Sequence, residues 1–112
     1  MNLIMDIPGW RKKIDELDRR MVELLNARAL AAKEIGKLKR NSDLPIYEPD
    51  REKIIFENVN KANTGPLPNK DLQHIFERII DVMRAIQKDE IVPAKESTPK
   101  GGGTEFDVET NE

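Results

Sequence analysis

Two cations on one helical face are the first sign of chemistry in this chain. Between Trp10 and Arg40 the apolar residues step four, three, four, three: Trp10, Ile14, Leu17, Met21, Leu24, then Ala31, Ile35 and Leu38. Arg28 stands in that row where another apolar residue belongs. A lone arginine so placed ordinarily snorkels to water or pairs with a carboxylate. Its neighbours argue for more. Ala32 and Gly36 follow at four-residue steps, and Lys39 falls on nearly the same face at 100° per residue. Two cations about 16 Å apart along the helix axis then bracket small side chains. The small residues leave room beside the helix, and long cationic side chains reach into that room from either end. A small dianion needs such a place.

Other candidates gather around this pair. Arg11 lies roughly 25 Å from Arg28 along one helix, too far to serve the same small site in one chain. In an antiparallel pair of chains, Arg11 of one copy approaches the Arg28 region of the other. Glu48, Arg51 and Glu52 cluster where a second helix should begin. Capping and solvation account for the two glutamates, but a cation in a first turn opposes the helix dipole, so Arg51 stands out. Gln87 extends an apolar stripe one step past Met83 and offers a neutral donor and acceptor on an inward face. His74 has no acidic or hydroxyl partner at motif spacing and reads as structural. No Ser-His-Asp set, glycine-rich phosphate loop or nucleophile with an evident base is present. One histidine, no cysteine and scattered carboxylates make a zinc or iron site unexpected, so no metal and no cofactor is predicted. The inventory describes a cationic pocket without acid–base or covalent equipment.

The elements that must hold these residues are helices. Charged residues make up 36% of the 112-residue chain and aromatics 4%, a composition that favours an all-α fold in one domain. A helix from Trp10 to Arg40 is roughly 46 Å long, whereas a compact domain of this size is about 30 Å across. The long helix therefore outruns its own core, and a partner subunit is the simplest cover. Pro8 and Gly9 punctuate its start; Asp15, Glu16 and Asp18 in early turns and Lys33, Lys37, Lys39 and Arg40 in late ones suit its dipole. Asn41 to Pro45 ends it. A second helix begins at Pro49, with Ile55, Val59 and Ala62 inward, and stops at Thr64-Gly65-Pro66. A third runs from Asn69, as N-cap, to about Lys88, with Leu72, Ile75, Phe76, Ile79, Ile80, Met83 and Ile86 as its stripe. The predicted organisation is an N-terminal extension over residues 1–9, a three-helix domain over 10–92 and a disordered tail over 93–112. The tail holds Gly101 to Gly103 and one large apolar residue, Phe106, after Ala94. Net charge is −2, so no basic field points to nucleic acid or a membrane surface. Met1 to Gly9 lacks a signal-peptide pattern, and no segment approaches the ~18 apolar residues of a membrane span. Together with the lack of cysteine, this leads us to expect a cytoplasmic protein.

Several segments in order carry a resemblance: Arg11 to Asp18 (RKKIDELD), Leu24 to Arg28 (LLNAR), Ile35 to Lys39 (IGKLK), Pro45 to Glu52 (PIYEPDRE), and the third helix from Ile75 to Gln87. Over about residues 8–90 the chain resembles the all-helical class of chorismate mutases. The resemblance implies an intertwined homodimer of three-helix subunits, one helix long and two shorter, with two equivalent sites. It implies conversion of chorismate to prephenate, on the route to phenylalanine and tyrosine. By position, Arg28 and a second copy's Arg11 look like carboxylate clamps. Lys39 looks like the cation at the ether oxygen and a carboxylate, and Gln87 like a second donor to that oxygen. Glu52 resembles the acceptor from the substrate hydroxyl, Arg51 a supporting cation, and Glu48 a contact made through its backbone. Two departures stand out. Glu48 occupies a place where many members have Asp, and Met83 a place where some have a small hydroxyl residue.

The implied chemistry agrees with the inventory. A pericyclic rearrangement needs no nucleophile and no proton transfer. It needs the reactive conformer held in place and growing negative charge on the ether oxygen stabilised. Two rivals are weighed beside it: an isochorismate–pyruvate lyase, which shares the fold and a similar pocket, and a non-catalytic helical dimer, in which Arg28, Lys39 and Gln87 carry no activity.

Overall fold

The computed structural model describes residues 5–91, which form three helices: α1 (Ile7–Lys39), α2 (Pro49–Ala62) and α3 (Asn69–Ile91). No strand occurs among the described residues, so the expected all-α architecture holds. The expected tail from Pro93 onward lies outside the described residues.

The start of α1 differs from expectation. The helix begins at Ile7, not Trp10, because Asp6 caps it: its Oδ1 accepts the Gly9 N–H at 2.9 Å. Pro8 then falls in the first turn, where a missing N–H costs nothing. Proline and glycine open this helix and do not precede it. Asp15, Glu16 and Asp18 consequently lie beyond a first turn that holds no acid, and the Asp6 carboxylate serves the dipole in their place. Lys37 and Lys39 occupy the last turn as expected. Ser42 then turns the chain: its N–H and Oγ–H both donate to the Lys39 carbonyl, at 3.0 and 3.3 Å, and its Oγ accepts the Leu44 N–H at 3.2 Å.

α2 opens at Pro49 and closes on Asn63, as the Asn-Thr-Gly-Pro run implies. Asn63 ties the following loop together, donating to the Leu67 carbonyl at 2.8 Å and to Asn69 Oδ1 at 2.6 Å while accepting the Gly65 N–H at 2.9 Å. Gly65 sits at φ +76°, the left-handed region glycine enters without penalty. Asn69 is the first helical residue and not the cap. The Pro68 carbonyl takes the Leu72 N–H at 3.0 Å, and the Asn69 side chain is already engaged by Asn63. α3 also runs three residues past Lys88, to Ile91.

α1 packs along α3, and α2 packs along α3; α1 and α2 do not pack on each other. The buried residues are Ala32, Gly36 and Lys39 on α1 and Ile80 and Met83 on α3. This face of α1 lies one residue beyond the apolar Ala31–Ile35–Leu38 row, in which Leu38 is 75% exposed in the single chain. The reason is steric. A Cβ on Gly36 would stand 2.9 Å from Gln87 Cα and 3.0 Å from the Gln87 carbonyl oxygen, so the helices cross almost backbone to backbone. Only the small residues of α1 allow that approach. The large residues Trp10, Ile14, Leu17, Met21 and Leu24 are all exposed in the single chain.

Candidate active site

The gap between α1 and α2, floored by α3, is a pocket of about 390 Å³, within the usual range for small-molecule sites. Its wall contains Arg28 from α1, Glu48, Arg51 and Glu52 from the start of α2, and Met83, Arg84 and Gln87 from α3, with Ala31, Ala32, Ile35, Ile46, Ile55 and Ile80 as the apolar part. Six of the sequence candidates thus meet in one cavity. Lys39 lies at its edge, the one buried charged side chain among the described residues.

Lys39 is where the helix crossing becomes chemistry. Its Nζ donates to Glu48 Oε1 at 2.8 Å and to Gln87 Oε1 at 2.9 Å. The close approach at Gly36 brings Gln87 within reach, and the Ser42 turn swings Glu48 back over the end of α1. An ammonium has only hydrogens to offer, so the Gln87 atom facing it is the oxygen, and the Gln87 NH₂ is left for other partners. Glu48 is the N-cap residue of α2, yet its side chain makes no cap hydrogen bond. Its carboxylate is committed to Lys39. The capping role weighed for Glu48 is therefore replaced by an ion pair with a buried lysine.

Glu52 is held from the third helix. Arg84 Nη2 donates to Glu52 Oε2 in a very short contact, and Arg84 Nη1 reaches Asp81 Oδ1 at 3.3 Å. The same guanidinium lies over the Tyr47 ring, 5.1 Å from its centroid. The hydrogen bond to Glu52 raises the Arg84 pKa most, burial opposes it, and the charges of Glu52 and Asp81 add to the rise. Arg28 moves the other way: burial, and then the charge of Arg51, lower its pKa. Both guanidinia still stay charged at any ordinary pH.

The charges in the pocket can be paired off. Glu48 takes Lys39 and Glu52 takes Arg84. The cavity therefore presents two guanidinia, Arg28 and Arg51, with no ion-pair partner among the described residues, near enough that the charge of Arg51 disfavours that of Arg28.

Arg11 is not in this cavity; it lies near the start of α1, about 25 Å from Arg28 along the axis. Arg84 was not among the sequence candidates. The signal for it was available: it sits three residues before Gln87 and four after Ile80, on the same face. No group of three or more potential metal ligands occurs among the described residues, and no described helix is long and apolar enough to cross a membrane.

Fold and site together define a helical pocket lined by fixed charges and the amide of Gln87. The family described as chorismate mutase type II matches residues 10–88. This chain belongs to that family. It is 40% identical over 87 residues to a bifunctional chorismate mutase/prephenate dehydratase of Aquifex aeolicus (strain VF5), a match covering 74% of this chain and 24% of the relative. It is 31% identical over 87 residues to a chorismate mutase of Methanocaldococcus jannaschii, covering 77% of this chain and 88% of that protein. The chain thus spans about a quarter of the length of its bifunctional relatives and most of the monofunctional one. Among solved structures, the chorismate mutase of Helicobacter pylori in complex with prephenate superposes with a TM-score of 0.71 at 27% identity, over 80% of this chain and 97% of that one. Chorismate mutase (form II) of Thermus thermophilus gives the same TM-score of 0.71 at 29% identity, over 73% of this chain and 93% of that one.

Proposed function

We propose that this chain rearranges chorismate to prephenate, as a homodimer whose two pockets are each completed by Arg11 of the other copy. The charge pairing in the pocket carries the reading. Chorismate has two carboxylates, and the site holds two guanidinia, Arg28 and Arg51, with no carboxylate partner of their own among the described residues. Arg28 and the incoming Arg11 clamp the carboxylates, with Arg51 in support. Lys39 and the Gln87 NH₂ donate to the ether oxygen as its bond to carbon breaks, and their mutual hydrogen bond fixes both donors before substrate arrives. Glu52 accepts from the hydroxyl, Glu48 contributes a backbone contact, and Met83 closes the floor with an apolar surface. Holding the compact conformer supplies the rest of the acceleration. A cysteine-free chain of this kind works in the cytoplasm.

The dimer rests on the exposed row from Trp10 to Leu24. A continuous apolar stripe of that length calls for a covering surface, and an antiparallel copy of α1 brings Arg11 to the Arg28 end. The deciding experiment incubates purified protein with chorismate and, separately, with isochorismate. Prephenate from the first and no pyruvate from the second is the expected result. Pyruvate from isochorismate would make the chain a lyase, and no turnover of either would make it a binding module.

A further inference from the structure

We infer that Arg84 is a positioning residue that aims Glu52 at the substrate hydroxyl and cancels its charge, so that a dianion can enter beside it. This inference rests on the mutase reading above and adds to it a residue outside the substrate contacts assigned there.

The geometry of α2 is the starting point. That helix does not pack on α1 and has no fully buried residue, so its apolar stripe alone holds its first turn loosely. Two ion pairs fasten that turn to the rest of the site. One is Lys39 with Glu48, the other Arg84 with Glu52. Arg84 joins three elements at once: Glu52 on α2, Asp81 one turn back on α3, and the face of Tyr47 in the connection between α1 and α2. A planar, forked guanidinium can do this, whereas an ammonium offers one compact charge and no plane to stack. Arg84 Nε is buried with no hydrogen-bond partner among the described residues. A buried donor left unmade is costly, so the side chain is placed for the sake of its two terminal nitrogens.

The pair also leaves Glu52 usable. Arg84 occupies Oε2, and among the described residues Oε1 has no partner, so one oxygen remains to accept from a hydroxyl. Without Arg84, Glu52 would be an uncancelled anion in the wall of a pocket meant for a dianion. Charge and direction are then separable. Loss of the charge raises KM through repulsion of the substrate; loss of the fork and the stack lowers kcat through a misaligned acceptor.

The test is a double-mutant cycle on prephenate formation, with kcat and KM measured for the native chain, Arg84→Ala, Arg84→Lys, Glu52→Gln and the Arg84→Ala/Glu52→Gln pair. Circular dichroism and sedimentation check that each variant keeps the native fold and assembly. Arg84→Ala, which removes charge, fork and stack together, is expected to lose about tenfold to a hundredfold in kcat/KM, through KM and kcat both. Arg84→Lys should restore most of KM but not kcat. In the Glu52→Gln background, where there is no charge to cancel, Arg84→Ala should cost less than about threefold more. Should Arg84→Ala fail to fold, the KM and kcat split in Arg84→Lys decides. Equal losses from Arg84→Ala in both backgrounds, or an Arg84→Lys variant with native kcat, would overturn the role. A native chain that makes no prephenate overturns the mutase reading itself, a different and earlier failure.

Discussion

From Ala32 to Lys39, α1 turns small residues towards α3, and the two helices touch almost backbone to backbone at Gly36. From Trp10 to Leu24 the same helix carries large apolar residues on a regular row, and nothing among the described residues of its own chain covers them. Both stretches are helical and both are periodic. Side-chain size, not periodicity, sorts them: small residues mark where the chain folds on itself, large ones where it waits for a second surface. Covering five such residues, at about 1.5–3 kcal/mol each, is worth on the order of 10 kcal/mol. That is comparable with the whole stability of a small domain, so fold and assembly should not be separable here.

The most damaging way to probe the bare half is to charge it. Leu17→Asp with Met21→Asp should abolish the dimer, most of the helical signal and all activity together, read by sedimentation, circular dichroism and prephenate formation. A folded, active protein would mean the row faces water in the working molecule. Nearly as severe, but confined to catalysis, are Arg11→Ala and Arg28→Ala, one change at each end of the comparison. Each variant alone should be almost inactive. After subunit exchange, random pairing yields about half mixed dimers, each with one intact site, so roughly a quarter of native activity should return. If exchange is confirmed and nothing returns, Arg11 does not act across the interface.

The packed half should respond more mildly. In Gly36→Ala the new methyl meets the Gln87 backbone, which cannot rotate away as a side chain would. Overpacking of this kind costs about 1–3 kcal/mol. The melting temperature should fall by several degrees, and kcat with it, because α3 must move Gln87 away from Lys39. An unchanged kcat at a lowered melting temperature would show that the Lys39–Gln87 contact does not depend on the crossing. The smallest expected effect, at least in acid, is that of Gln87→Glu. Lys39 and Glu48 face that position from α1 and the start of α2. A glutamate there donates to the ether oxygen only when protonated, and an ordinary glutamate ionises near pH ~4.3. Its kcat/KM should approach the native value at low pH and decline as the carboxyl ionises, while the native profile stays flat at this position. Superimposable profiles would remove Gln87 from the reacting oxygen.

Much of this is legible in the residues. The three helices follow from apolar spacing and from Pro45, Pro49 and Gly65; Arg28, Lys39 and Gln87 stand out as polar groups on inward faces. The misses have physical causes. A proline-glycine pair reads as a break, but a proline in a first turn behind an aspartate cap is a beginning, so α1 starts at Ile7. Ala32 and Gly36 read as room for a ligand beside the helix, whereas at Gly36 that room is taken by the backbone of α3. Arg84 escapes notice because its place on the Ile80–Gln87 face does not by itself tell a site arginine from a solvated one. Only the contact with Glu52, thirty-two residues earlier, gives it meaning, and that contact exists only in the folded chain.

The hydrogen bond from Lys39 to Gln87 Oε1 also gives the pocket a polarity that a ligand must obey. Once the amide oxygen is taken, Gln87 has only its NH₂ left to offer, and the other acceptor beside that point, the Glu48 carboxylate, is already paired with Lys39. A cyclic analogue with an oxygen at the bridge should be read as native, one with a methylene there should forfeit two donors, and one with an N–H there should meet hydrogen against hydrogen. The site is in this sense a one-way recogniser, and the atom at the bridge is where an inhibitor for it would be won or lost.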